Sequence, residues 1–134
     1  MSHSLFDEDG LIKGFSYHDG KLDGVLIDGV GDVHLGIRAV SGEQRLLSLH
    51  QVRGLCIQGF RQGNIILSVR VLEFSRALRD AELASQIAER LFLDATSATG
   101  EQVFCLDSSY GADIIAVCGR IDVSEIGGCL AVCT

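Results

Sequence analysis

Val33-His34-Leu35-Gly36-Ile37-Arg38-Ala39-Val40 places apolar side chains at Val33, Leu35, Ile37 and Ala39, with His34, Gly36 and Arg38 between them. Successive side chains of a strand point to opposite faces, so this period of two marks a half-buried strand. Leu35 and Ile37 are assigned to a core, His34 and Arg38 to the opposite face. Asp28-Gly29-Val30-Gly31-Asp32 before this stretch and Ser41-Gly42-Glu43 after it read as turns, since glycine with Asp or Ser supplies the required backbone freedom. Runs at 21–28, 44–50, 52–60 and 65–74 repeat the rhythm at the roughly ten-residue spacing of a β-meander. Short links between them imply antiparallel neighbours. In the last run Val69 and Val71 point to the core and Arg70 away from it.

Beyond residue 76 the period changes. Leu83, Ile87 and Leu91 recur every four residues, with Ala84, Ala88 and Phe92 beside them. That is the apolar stripe of an amphipathic helix at about 80–92, capped by Asp80, or by Ser75 if the helix is longer, with Glu82 suited to the positive end of its dipole. Runs at 102–107 and 113–123 then read as strands joined by Ser108-Ser109-Tyr110-Gly111, a closing C-terminal hairpin. Residues 1–10 form an acidic arm and 11–134 one globular domain; 127–134 fit either an edge strand or a tail. The expected fold is α+β, mainly β: an antiparallel meander sheet or partly open barrel with one principal helix.

Composition sets the bounds. A chain of 134 residues and 14.4 kDa buries roughly two-thirds of its unfolded surface, enough for one core. No apolar run approaches the roughly 18 residues of a membrane span. The net charge of -7 argues against nucleic acid, whose phosphates call for a basic patch. There is no proline, so turns fall to glycine. The first residues show no basic and apolar signal pattern, and the five cysteines are an odd number, so a cytoplasmic chain with reduced thiols is expected.

Candidate chemistry is sparse. His18-Asp19-Gly20 could place a histidine at a loop mouth, but Asp-Gly after a short apolar run reads first as a tight turn. His18, His34 and His50 lie sixteen residues apart, yet equal spacing does not make ligands converge on a metal ion. Asp19, Asp23, Asp28 and Asp32 alternate with glycines as in calcium loops, without the EF-hand order or its closing Glu. Cys56, Cys105, Cys118, Cys129 and Cys133 form no Cys-x-x-Cys pair and read as structural thiols. Ser108-Ser109-Tyr110-Gly111 lacks the first glycine and the following helix of a nucleophile elbow, which leaves a hairpin corner with Tyr110 at its rim. No phosphate-cradling glycine loop and no Walker lysine occur. No cofactor and no metal are expected.

The stretch from Val103 to Cys118, with Asp107-Ser108-Ser109-Tyr110-Gly111 at its centre, resembles the closing hairpin of small bacterial β-rich proteins. Some of these are immunity proteins that neutralise partner toxins. The early His18-Asp19 followed by a strand is similar too. This resemblance covers about a third of the chain and transfers no catalytic residue. It implies a β-sheet protein with a helix before the final hairpin, and a protein as partner.

The functional expectation is a non-enzymatic protein-interaction module, of immunity type if the resemblance holds, with His18, Asp19, Ser108, Ser109 and Tyr110 as the candidate surface. The alternative is a small-ligand-binding β-barrel, because a glycine-rich meander permits curvature and a cavity. A homodimer is also expected, built on a sheet edge or on the segment with Cys129 and Cys133. Proline and lysine, the usual guards of sheet edges, are absent or nearly so.

Overall fold

Eight strands and two helices follow one another in the computed structural model, which describes residues 17–93 and 100–125. They are β1 (Lys21–Ile27), β2 (Val33–Arg38), β3 (Gln44–His50), β4 (Gly54–Gln58), β5 (Asn64–Glu73), α1 (Phe74–Ala77), α2 (Ala81–Leu91), β6 (Gln102–Tyr110), β7 (Asp113–Cys118) and β8 (Arg120–Glu125). All strand pairs are antiparallel, in the order β4-β7-β6-β5-β1-β2-β3-β8. The fold is mainly β α+β: one open antiparallel sheet, one principal helix and C-terminal hairpins.

Connectivity forces the sheet to curl. β3 and β4 stand six places apart in the strand order, about 29 Å in a flat sheet at about 4.8 Å per strand. The link between them, Gln51–Arg53, spans at most roughly 14 Å. β7 and β8 are also six places apart and are joined through Gly119 alone, a reach of about 7 Å. The two ends of the sheet must therefore approach each other. Backbone bonds at the junction agree: Val52 N donates to Gly31 O, Arg53 N to Val117 O and Gly119 N to His50 O.

The curled sheet has an inner and an outer face. Leu22, Leu35, Ile37, Leu47, Leu49, Ile66, Val69, Phe104, Leu106 and Ala116, from six strands, β7 among them, fill the interior. The assigned core residues hold: Leu35 and Ile37 are 0% and 1% exposed, and Val69 and Val71 are buried. α2 covers the outer face of the β4-β7-β6-β5 half, where Leu83, Ile87 and Leu91 meet Val103, Cys105, Ile115 and Val117. Each such apolar side chain contributes roughly 1.5–3 kcal/mol when fully buried. Asp80 caps the helix as expected, its Oδ1 accepting from Glu82 N and Leu83 N. Phe92 ends it in a left-handed conformation and is exposed rather than part of the stripe.

Three expectations need correction. The meander holds for β1-β2-β3 only. β4 leaves β3 at Gln51, where φ is 56°, and pairs with β7. β6 runs on to Tyr110, so the turn is Gly111-Ala112 rather than residues 108–111. The run 113–123 is two strands, broken at Gly119. The acidic arm and the segment with Cys129 and Cys133 lie outside the described residues. Among the described residues no helix is long and apolar enough to cross a membrane.

The outer face of the β1-β2-β3-β8 half has no helix over it among the described residues, and it carries the polar side chains. Register places His34 opposite Ser48 and Ser48 opposite Asp122, a row across β2, β3 and β8.

Candidate functional site

The turn between β1 and β2 builds the densest polar cluster. Asp28 Oδ1 accepts from Val30 N at 3.0 Å and Asp32 N at 3.1 Å, which ties the turn to its own backbone. Gly31 completes it at φ of 88°, a conformation that favours glycine. Asp28 Oδ2 is then aimed at His34 Nε2, 3.1 Å away. The other ring nitrogen of His34 lies 2.8 Å from Ser48 Oγ.

A second imidazole continues the chain. Asp32 Oδ1 accepts from Gln51 N at 3.2 Å, and its Oδ2 faces His50 Nδ1 at 2.9 Å. His50 Nε2 faces Asp122 Oδ2, also at 2.9 Å, and Arg120 stands 3.4 Å from that same oxygen. The histidine beside Asp28 and the backbone N–H groups around it hold that carboxyl below its ordinary value. His50, followed by the Gln51 N–H, does the same for Asp32. Ligand atoms of Asp28, Asp32 and His34 all lie within 4.8 Å of one another.

Ser48, His34 and Asp28 have the composition of an acyl-transfer triad but not its surroundings. Ser48 is buried in the middle of β3, paired to β2 on one side and β8 on the other. Nearby backbone N–H groups are used in those ladders, whereas an oxyanion needs donors aimed at open space.

The residues singled out from sequence lie elsewhere. His18 and Asp19 form an exposed pair, Nδ1 to Oδ2 at 3.3 Å, in a turn where Asp19 itself takes the positive φ of 65°. Asp19 N donates to Ile66 O. Ser108 is spent on the corner, its N donating to Asp113 Oδ1 and its hydroxyl to Ala112 O. Ser109 Oγ donates to Ile65 O. Both groups therefore flank the start of β5, at the end of the β1–β2 hairpin opposite the Asp28 turn.

Here Arg38, Lys21, Ile65 and Tyr110 stand in register across β2, β1, β5 and β6. Tyr110 is 50% exposed, with the Arg61 guanidinium 5.7 Å from its ring centroid. Phe60, next to Arg61 in the chain, is half exposed as well. Lys21, Asp23, Arg38, Phe60 and Arg61 line a groove of about 510 Å³. Arg38 is paired with Asp23 at 3.1 Å. Sequence reading missed Arg61, Ser48, His50 with Asp122, and the convergence of Asp28 and Asp32 on His34. The Asp28–His34 spacing was visible; the partners from β3 and β8 needed register.

No family model, no curated protein and no solved structure matches this chain.

Proposed function

We propose that this protein is a non-enzymatic interaction module whose contact surface is the stripe of Lys21, Arg38, Arg61, Phe60 and Tyr110. The carrying observation is Arg61 over the exposed Tyr110 ring, on the end of a paired strand. Tyrosine and arginine supply much of the binding energy at protein interfaces, because both offer area with directional polar contacts. Three cationic side chains, against the single Asp23 that pairs with Arg38, leave this groove positive in a chain of net charge -7; that suits a partner presenting acidic groups and steers its approach. The similarity of the closing hairpin to immunity proteins makes a protein toxin one class of partner to test.

A barrel ligand is less well supported, since Leu35, Leu47, Leu49, Ile66 and Phe104 occupy the interior at 0% exposure. The test is pull-down at low salt from the source organism, followed by binding measurements on the retained protein. Tyr110→Ala and Arg61→Ala are each expected to weaken binding by about 2 kcal/mol, roughly thirtyfold. Failure to retain any protein, or binding indifferent to both substitutions, overturns the proposal.

A further inference from the structure

We propose that Asp28, Asp32 and His34 form a binding site for a divalent transition-metal ion of the Zn²⁺ type. The donor set is mixed, two carboxylate oxygens and one imidazole nitrogen, and its three ligand atoms already converge within 4.8 Å. Tetrahedral Zn²⁺ with bonds of about 2.0 Å holds its ligands roughly 3.3 Å apart. Asp28 Oδ2 and His34 Nε2 stand 3.1 Å apart, so an ion can replace the proton between them with small shifts.

Each ligand is also held from behind. Asp28 and Asp32 commit their Oδ1 atoms to backbone N–H groups; Asp28 Oδ2 faces His34, and Asp32 Oδ2, which also faces His50 Nδ1 at 2.9 Å, keeps a second lone pair for the ion. His34 has Ser48 Oγ 2.8 Å from Nδ1, an acceptor for the Nδ1–H that the ring carries once Nε2 binds the ion. Such outer partners orient metal ligands and tune their affinity. His50 acts one step further out, between Asp32 and Asp122, as a positioning residue for Asp32. Ser48 comes from β3 and Asp122 from β8, so the ion would fasten the β1–β2 turn to the strands beside it.

Side-chain exposures of 33% at Asp28, 21% at Asp32 and 23% at His34 leave an approach from solvent. With three protein ligands, the remaining coordination position falls to water. Imidazole favours Zn²⁺ over Mg²⁺ or Ca²⁺, which prefer oxygen ligands alone. His18 lies at the other end of the hairpin and takes no part.

The test is calorimetric titration of the full chain, stripped with chelator, using Zn²⁺ alone, with Co²⁺ absorption as a second readout. One saturable site is expected, with a raised melting temperature and a Co²⁺ spectrum of oxygen and nitrogen ligation. Asp28→Asn and His34→Gln should each abolish it or weaken it at least about a hundredfold, and Ser48→Ala by about ten- to a hundredfold. His18→Gln should leave it unchanged. Where a ligand variant fails to fold by circular dichroism, the wild-type Co²⁺ spectrum and Ser48→Ala still decide. Absence of saturable binding, binding unaffected in Asp28→Asn and His34→Gln, or a thiolate Co²⁺ spectrum lost on alkylation would overturn the site.

Discussion

Cys105 and Cys118 show how burial dominates the chemistry of a side chain. Burial pushes the Cys105 thiol up to about 11 and the Cys118 thiol up to about 12, from an ordinary value of 9.0. A thiolate in the apolar layers under α2 and inside the sheet would lose its hydration, so the proton stays. Both residues are thus inert core groups, in agreement with the structural reading of their sequence context. The sign for stability follows from the raised folded values. Below about pH 9 the thiols are protonated in both states and the contribution is fully present. As pH rises toward 11–12 the unfolded chain alone loses protons, and stability falls. Urea unfolding from neutral pH to about 10 should show this decline, reduced in a Cys105→Ala, Cys118→Ala variant. Both thiols should also resist alkylation until the chain unfolds.

Among elements, the corner joining β5, β6 and β1 depends on one buried amide. Asn64 is 1% exposed. Its Oδ1 accepts from Arg61 N and Ala112 N, and its Nδ2 donates to Arg61 O and Leu22 O. Gly111 at φ of 100° passes so close that a Cβ there would strike the Asn64 side chain. Asn64→Ala removes the acceptor for two N–H groups, each costing about 1–3 kcal/mol when left unpaired. The expected loss is about 2–4 kcal/mol, read as a lower urea midpoint with unchanged slope. A loss under about 0.5 kcal/mol would mean that water replaces the amide.

At the scale of the whole molecule, the exposure hazard of the run 65–74 is met within one chain. β5 lies inside the sheet between β6 and β1, with Val69 and Val71 buried. The outermost strands differ from each other. β8 carries Arg120, Asp122 and Glu125, whereas β4, Gly54-Leu55-Cys56-Ile57-Gln58, carries no charge. An uncharged edge without proline invites pairing, so a two-fold homodimer is proposed through β4. Light scattering at micromolar concentration should then give twice the 14.4 kDa chain mass. A single-chain mass would show that the curl of the sheet protects β4 without a partner.

Local chemistry accounts for much of what could be read without coordinates. The period of two in 33–40, the period of four at Leu83, Ile87 and Leu91, the Asp80 cap and the Asp28–Asp32 turn each depend on residues within a few positions of one another. Backbone geometry acts on neighbours, so these features are written in the chain. Strand order is a different kind of property. That β4 joins β7, where its partly buried Cys56 packs with α2, and that Gly119 carries the chain to β8, are contacts between segments distant in sequence. The site inherits this division. Asp28, Asp32 and His34 are close in sequence, yet Ser48, His50 and Asp122 reach them only through the β2–β3 and β3–β8 registers. Hydrogen-bond registers between distant segments are decided by packing of the whole sheet, and tertiary structure alone specifies them.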